Sequence, residues 1–567
     1  SNFEANMDYR KVQDPAVTVR LRSAVSLKMM LGDAALADVP ADCWDVHPHW
    51  LAWTTTPWTL PSNMGLCVGP KLEYGVYNIA DADQTPDLVL LGVAAAGRVL
   101  SEGAEPLVTV SGAKLGQGEL RYEPLFAVPE VPTHAPSGEA VDPYRVVSDG
   151  YVTADDGTGV VHSAPAFGED DARVGGQWHL PTYDPVDQEG RFSELLGNVA
   201  GGKVVGVHVK DADKALIADL KARGLLFKQA TIDHDYPFCW RSGTPLIYKA
   251  IGTWFVNVTK VRERMSELNA QTRWVPEYVG KKRFGNWLED ARDWAISRNR
   301  YWGTPLPIWE NDVTGERVCI GAIAELEALC GEKVEDLHRH HIDHLTWEGT
   351  AEQGGGTFRR IKEVLDCWFD SGSMPYAQNH YPFENKELVE NNLPAHFIAE
   401  GLDQTRGWFY TLLILSTALF DRPAFKNVIV NGLILAEDGQ KMSKRLKNYP
   451  DPTHVIESYG ADALRAYLIN SPVVRAEPMR FTEKGVRDAV RSVVLPLWNA
   501  YSFFATYAAV DGWRPPTNPT PIEERAVIDQ WLLSMVQSLV ADVNREMEAY
   551  KLYNVIPAVL GFIDHLT

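Results

Sequence analysis

The apolar pattern of this chain changes period twice along its length, and no single folding unit accommodates both changes. From residue 15 to about 225, short β-type runs alternate with turn signals. Within that stretch, residues 151–154 and 159–163 flank Asp155-Asp156-Gly157, which predicts a β-hairpin. Proline and glycine punctuate 124–143, a surface loop. From about 230 to 425, helical patterns alternate with strands, as α/β folding requires. Trp408, Leu412, Leu415 and Leu419, for example, recur at helical spacing. A β-rich run over 427–435 ends in the turn Glu437-Asp438-Gly439, and after about 485 the chain is helical. Residues 515–521 read as a linker. Thr520 and Glu523 then form a capping box, with Pro521 at the first helical position. Ile528, Leu532, Met535, Leu539 and Val543 supply the apolar face of the helix that follows.

Composition narrows the class. At roughly 150 residues per domain, the 567 residues make about four domains. The longest apolar candidate, 409–420, falls short of the roughly 18 residues of a membrane span, so no membrane partner is expected. Fifty-four basic against 75 acidic residues give a net charge of −21, so nucleic-acid contact has to come from local basic patches. Six cysteines without a C-x-x-C pattern fit a reducing compartment, and no signal peptide is recognisable. The chain opens Ser1-Asn2-Phe3 without an initiator methionine and stops at Thr567 inside an apolar helical pattern, which reads as a piece of something longer.

The strongest chemical signal is Lys441-Met442-Ser443-Lys444-Arg445, which follows an apolar strand and a tight acidic turn. Two lysines three apart on such a loop can swing ammonium groups onto a polyphosphate and stabilise charge developing on leaving pyrophosphate. A solvated basic loop is the plain alternative. No G-x-x-x-x-G-K-[ST] sequence occurs, which argues against a P-loop nucleotide site.

The lysine loop resembles the Lys-Met-Ser-Lys-Ser loop of class I aminoacyl-tRNA synthetases. Four further segments narrow the resemblance. They are Trp53-Thr54-Thr55-Thr56-Pro57-Trp58-Thr59-Leu60-Pro61-Ser62-Asn63; Gly157-Thr158-Gly159-Val160-Val161-His162-Ser163-Ala164-Pro165-Ala166-Phe167-Gly168-Glu169-Asp170-Asp171; Ser297-Arg298-Asn299-Arg300-Tyr301-Trp302-Gly303-Thr304-Pro305; and Glu400-Gly401-Leu402-Asp403-Gln404-Thr405-Arg406-Gly407-Trp408-Phe409. Together they look like the isoleucyl-tRNA synthetase family over nearly the whole chain. The third threonine of Thr54-Thr55-Thr56-Pro57 separates it from the valyl and leucyl relatives, which carry arginine there.

The resemblance implies a multidomain α/β protein: the second half of a Rossmann fold, an inserted β-barrel-like editing domain and a C-terminal helical-bundle segment. The expected divisions are a linker over 1–14, the editing insertion over 15–228, the second Rossmann half over 229–425, the lysine loop and stem-contact region over 426–487, and the start of the anticodon-binding helices over 488–567. The implied partners are isoleucine, its tRNA, and ATP with Mg²⁺ as the substrate complex, in a cytoplasmic monomer. Lys441 and Lys444 would stabilise the adenylation transition state, with Met442 and Ser443 between them on the ATP. Glu400, Asp403 and Gln404 would hold the adenylate. Trp302 and Trp408 would wall the isoleucine side chain, flat rigid surfaces that suit a branched aliphatic group, although indoles in such patterns also serve simply as core. The family's His-x-Gly-His nucleotide signature is absent, so this polypeptide alone is expected not to activate isoleucine.

A second, hydrolytic site is implied as well. One methylene is worth roughly 0.8 kcal/mol of burial, too little for a hydrophobic pocket to reject valine, and a second sieve is the remedy; isoleucyl-tRNA synthetase is itself the standard illustration. Asp171 matches the carboxylate that anchors the α-ammonium of a misattached amino acid. Thr54, Thr55 and Thr56 would serve the terminal adenosine and the attacking water, Asn63 lies in the same motif, and His162 would crowd out the larger isoleucine. Taken singly, threonine runs are usually strand surface, aspartate pairs helix caps, and a strand-end histidine structural. No general base is identifiable.

Three other features carry weaker signals. His338, His340, His341 and His344 invite a metal reading but fit a polar helix better, and no metal site is expected. Cys239-Trp240-Arg241-Ser242 lies where some relatives have a zinc knuckle, and Ser242 removes a thiolate, which argues against zinc. Lys281, Lys282, Arg283, Arg292, Arg298 and Arg300 form either a solvated face or an acceptor-stem contact. A hydrolase acting in trans on valyl-tRNA and a non-catalytic tRNA-binding paralogue are the rival readings. The lysine loop speaks against the first; Asp171, Lys441 and Lys444 speak against the second.

Overall fold

The computed structural model describes residues 8–81, 84–135, 138–239, 242–443 and 447–567. It divides into two compact units, 1–252 and 253–567.

The first unit is built on ten strands: β1 (Tyr9–Arg22), β2 (His49–Thr54), β3 (Gly65–Val68), β4 (Glu73–Asn78), β5 (Leu88–Gly92), β6 (Val108–Ser111), β7 (Gln117–Arg121), β8 (Arg145–Ser148), β9 (Val160–Ser163) and β10 (Leu226–Pro237). They form one mixed sheet in the order β6-β4-β5-β2-β9-β3-β8-β7, with β1 pairing both β2 and β10. The outer half of β1 is a two-stranded ribbon with β10, and its inner half, Ala16–Val19, is buried. Val17 to Arg22 then pair antiparallel with Thr54 to His49. The expected divisions at 14/15 and 228/229 fall inside this ribbon, and the compact unit runs on to residue 252.

The mixed register decides where the threonine run lies. Along β2, Trp53 pairs in parallel with Val161 of β9, while β9 pairs antiparallel with β3, Leu66 opposite His162. Both edges of β9 are therefore occupied, and the hairpin expected between 151–154 and 159–163 does not form. Residues 151–158 instead make an irregular loop whose Ala154 and Gly157 carbonyls accept from Arg98 and whose Thr158 carbonyl accepts from Gly92 N–H. Among the helices that lie against the sheet are α1 (Glu169–Trp178) and α2 (Val209–Ala222).

In the second unit, a three-stranded parallel sheet consists of β11 (Arg273–Val275), β12 (Ala395–Gly401) and β13 (Phe425–Asn431), in the order β11-β13-β12. Helix α3 (Trp408–Phe420) buries Phe409 to Ile414 in the same core as Trp274, Phe425 and Val428. A four-stranded antiparallel sheet, centred on Ile308–Asn311 and Thr357–Arg360, has its own core around Trp309 and Phe358.

The helical C-terminal part differs from expectation at three places. The capping box at Thr520 does not form: 522–524 is a single 3₁₀ turn, Arg525 is extended, and the helix starts at Val527. The exposed carbonyls of Thr520, Glu523 and Arg525 find the side chains of Arg525 and Gln530, so the chain has an alternative to helix there. The apolar face of Val527–Glu548 is only half-buried: Leu532, Met535, Leu539 and Val543 are half-buried with the helix Val555–Leu566 packed alongside, while Ile528 is 70% exposed. Finally, the helix over Glu483–Val510, and not 409–420, is the one described helix long and apolar enough to cross a membrane by length and composition. Asn499, Ser502 and Thr506 interrupt its apolar run, which a count of consecutive apolar residues misses.

Candidate functional site

Strand β2 ends at Thr54 because the chain must turn before Pro57, which has no N–H to give a ladder. Thr54 Oγ1 accepts the Thr56 N–H at 3.1 Å, and 57–62 then winds a 3₁₀ turn with Thr59 N–H bonded to Thr56 O at 2.9 Å. This turn is buried throughout and carries Thr59 and, just after it, Asn63 toward β9.

Between the turn and β9 runs a directional hydrogen-bond chain. The Tyr122 hydroxyl donates to Asn63 Oδ1 at 2.6 Å, which fixes the amide so that Nδ2 donates to Gly65 O at 2.9 Å and meets His162 Nδ1 at 3.2 Å. His162 Nε2 meets Thr59 Oγ1 at 2.8 Å, and that hydroxyl donates to Thr56 O at 2.8 Å. His162 is 8% exposed, and burial pushes its pKa down to about 4, so the ring is neutral. With Nδ1 accepting from Asn63, the network assigns the proton to Nε2. Neither ring nitrogen keeps a free lone pair, so His162 is a wall and not a base.

Helix α1 begins after Gly168 and has Glu169, Asp170 and Asp171 in its first turn, where the macrodipole favours negative charge. Asp171 folds back over Gly168: a Cβ there would lie 2.3 Å from Asp171 Oδ2. Burial raises the Asp171 pKa to about 6, with the Asp170 charge adding to the shift and the Ser163 hydroxyl and Ala164 amide opposing it. Arg173 grips Asp149 through both carboxylate oxygens at 2.8 and 2.9 Å and Asp170 at 3.0 Å. Asp171 is thereby the half-buried acid of this turn that faces the cleft.

Trp53, Thr54, Thr55, Thr56, Thr59, Val161, His162, Ala164, Phe167 and Asp171 line one cleft of about 240 Å³. A single carboxylate, a row of hydroxyls and a rigid imidazole wall can bind a small ammonium-bearing acyl group and orient a water beside it. Of the residues expected from sequence, Thr54, Thr55, Thr56, His162 and Asp171 line the cleft, and Asn63 stands behind it holding His162. The sequence reading missed Thr59, Tyr122 and Phe167. Thr59 and Phe167 lie inside the quoted motifs, and Thr59, three residues after Thr56, is at 3₁₀ spacing. Nothing local marks Tyr122.

In the second unit, Glu400 and Gly401 close β12 opposite Val430 and Asn431 of β13. The 400–408 segment thus leaves the carboxyl end of a parallel strand, where open parallel sheets bind ligands. Beyond β13 the chain first pairs Ile434–Leu435 with Met479–Arg480 and then turns back so that Lys441 bridges Leu435. Glu400 and Asp403 are exposed. Gln404 Oε1 accepts the Trp408 N–H at 2.8 Å, starting α3, and Arg283 Nε donates to buried Thr405 at 3.2 Å. Trp408 Nε1 donates to Ser371 O at 2.9 Å. Trp302 is 67% exposed and stacks on His338 at 4.7 Å. Lys441 is exposed; Asn448 bridges Lys441 O and Ser443 N–H at 3.1 and 2.9 Å, with Met442 and Ser443 half-buried. Lys444 and Arg445 lie outside the described residues.

The four histidines do not share one helix: only Arg339–Ile342 is helical, and His344 falls beyond it. His338 and His341 pair with Asp336, His344 with Glu332. Among the described residues no group of three or more His, Cys, Asp or Glu could hold a metal ion. Beyond Cys239, Ser242 Oγ is hydrogen-bonded to Thr244 Oγ1 at 2.7 Å. In the basic stretch, Arg298 turns inward onto Asp366 at 2.7 Å, while Lys281, Lys282 and Arg283 are exposed, Arg283 with its Nε on Thr405.

Comparison with known proteins gives the family. The family model described as tRNA synthetases class I (I, L, M and V) matches residues 1–480. An isoleucine–tRNA ligase of Bdellovibrio bacteriovorus is 50% identical over all of this chain and 50% of its own length. A cytoplasmic isoleucine–tRNA ligase of Arabidopsis thaliana is 48% identical over all of this chain and 48% of its own. The chain therefore spans about half the length of the curated relatives it matches. A methionyl-tRNA synthetase of Mycobacterium tuberculosis in complex with methionyl-adenylate aligns with 58% of this chain and 54% of its own, at 18% identity and a TM-score of 0.42. The chain belongs to the class I tRNA synthetases of the I, L, M and V group.

Proposed function

We propose that this chain is part of an isoleucine–tRNA ligase and that its first unit hydrolyses valine misattached to the isoleucine tRNA. The single observation that carries the hydrolytic reading is the cleft shared by Thr54, Thr55, Thr56, Thr59, His162 and Asp171. The α-ammonium of the aminoacyl ester pairs with Asp171 once it is ionised. The threonine hydroxyls orient a water and the terminal ribose. Water adds to the ester carbonyl carbon, the carbon–oxygen bond to the ribose breaks, and the ribose oxygen leaves with a proton. Neutral His162, held from both sides, sets the size limit that excludes isoleucine. The ten-stranded mixed sheet supports reading 15–228 as the editing insertion, with 229–425, 426–487 and 488–567 as the Rossmann half, lysine-loop region and anticodon-domain start.

In the ligation step, isoleucine and ATP with Mg²⁺ would meet at the carboxyl edge of β12 and β13. There Glu400, Asp403 and Gln404 hold the adenylate, Lys441 and Lys444 the phosphates with Met442 and Ser443 beside them, and Trp302 and Trp408 the aliphatic side chain. The exposure of Trp302 requires it to move onto the ligand. A His-x-Gly-His element, absent from this sequence, has to be supplied before isoleucine is activated. The Arabidopsis relative's name supports a cytoplasmic setting.

The test is a pair of assays. Valyl-tRNA deacylation is measured on this chain with and without Asp171→Ala. Isoleucine-dependent pyrophosphate exchange is measured on this chain and on the chain joined to a synthetase N-terminal half. Deacylation abolished by Asp171→Ala, with exchange only in the joined protein, is the expected result. Deacylation indifferent to Asp171 would overturn the site.

A further inference from the structure

Trp53 has two cavities against it. One is the cleft described above; the other, of about 230 Å³, is lined by Ala16, Thr18, Trp53, Arg98, Asp156 and Lys228, with the Gly157–Thr158 backbone closing it. We propose that this second cavity is a subsite for the phosphodiester that joins the terminal nucleotide of the tRNA to the one before it. The inference rests on the hydrolytic reading of the neighbouring cleft.

Three observations carry it. First, continuity: a substrate whose acyl ester lies between the threonines and Asp171 must have its polynucleotide leave the cleft, and Trp53 is common to both cavities. Register puts the parts on one stretch of sheet, because Thr18 pairs with Trp53 on one side and with Lys228 on the other. Second, charge: the chain carries −21 overall, so an anionic strand needs local cations, and this cavity gathers a guanidinium and an ammonium against one carboxylate, Asp156. Third, preorganisation: Arg98 Nη2 donates to Ala154 O at 3.2 Å and Gly157 O at 2.9 Å, and Lys228 Nζ lies 3.5 Å from Arg98 O. The guanidinium is held by loop carbonyls through one nitrogen, which leaves its other N–H groups for a phosphate oxygen without the entropy cost of ordering a free arginine. Contacts of this kind position a nucleic acid without reading its sequence, and the indole edge beside them offers a flat apolar surface to the ribose or base.

The experiment compares two substrates on this chain: valyl-tRNA, and valyl-adenosine, which has the ester and the ribose but no phosphodiester. Lys228→Ala is the principal variant, because Lys228 is exposed and its side chain makes only the long 3.5 Å contact with Arg98 O. Arg98→Gln also loosens the 154–158 loop, so it is read beside Lys228→Ala and not alone. The ratio of KM for valyl-tRNA to KM for valyl-adenosine is expected to rise roughly tenfold in Lys228→Ala, with the slope of log KM against log salt for valyl-tRNA falling by about one. Asp156→Asn, which removes the opposing charge, is expected to lower the same ratio. An unchanged ratio in Lys228→Ala overturns the subsite while leaving the hydrolytic reading standing. Failure of the unmodified chain to hydrolyse either substrate overturns both.

Discussion

Asp213 allows the energetics beneath the candidate site to be tested through pH. It lies on α2, 7% exposed, with the Trp58 backbone N–H of the threonine turn against it. Its Oδ1 has no hydrogen-bond partner. Burial raises its pKa to about 7, with nearby Lys210 and the Trp58 N–H pulling it down and Asp14 pushing it up. Lys210 is itself engaged by Asp14 at 3.1 Å, and Asp14 also takes His234 at 3.0 Å, so the positive charge near Asp213 is shared and burial outweighs it. In the unfolded chain an aspartate titrates near 3.9. Between that value and about 7 the folded state holds a proton the unfolded state has lost, so stability falls as pH rises through this window. Three pKa units correspond to about 4 kcal/mol at 1.36 kcal/mol each, complete only below the unfolded value, mostly retained at pH 4 and lost by pH 8. Asp213→Asn removes the titration at the cost of about 1 kcal/mol for an imperfectly bonded amide. The variant should therefore be about 3 kcal/mol more stable than the unmodified chain at pH 8 and slightly less stable at pH 4. Urea unfolding followed by tryptophan fluorescence at the two pH values reads the difference. A stability difference between the two proteins that is the same at pH 4 and pH 8 would mean that Asp213 does not titrate between these values in the folded state.

Four further outcomes follow from the same geometry. Arg173→Gln frees Asp170 beside Asp171, so the acid limb of the deacylation pH profile should move up by about one unit, and Asp170→Asn in the same protein should move it back. Gly168→Ala puts a Cβ where Asp171 Oδ2 lies, and should cost at least tenfold in deacylation kcat/KM, about 1.4 kcal/mol, with the fold intact by circular dichroism. Tyr122→Phe removes one buried donor and should cost about 1–3 kcal/mol of stability in a denaturant melt. Its effect on rate should be small, since Gly65 O still holds the Asn63 amide. His162→Ala opens the wall and should let isoleucyl-tRNA be hydrolysed by the chain, measured as release of labelled isoleucine.

What the sequence discloses here is local, and what it hides is long-range. The helical period of Trp408, Leu412 and Leu415 and the turn after Leu435 are encoded within a few residues and are visible directly. The failed hairpin at 151–163 has the right turn residues, but its second strand is claimed on both edges by strands about a hundred residues away, and no local pattern records that competition. The same holds within the cleft. Thr54, Asp171 and their motif partners stand out because they come in runs. Tyr122, 59 residues from the Asn63 it orients, and Lys228, opposite Thr18 across the ribbon, acquire their roles only when the mixed sheet closes their separation. The apolar face of Val527–Glu548 shows the reverse: a correct periodicity does not say how completely a face is covered, and here Ile528 stays exposed while Leu532, Met535, Leu539 and Val543 are half-buried.

The central claim is that a cleft in the first unit cuts an aminoacyl ester and selects by size. Its most direct test is the ratio of deacylation rates for valyl-tRNA and isoleucyl-tRNA by this chain alone, at pH 7.5 to keep Asp171 ionised. Valine is expected to be released at least tenfold faster than isoleucine, a difference of about 1.4 kcal/mol at the transition state. Equal rates for the two esters, or no release of either, would contradict it.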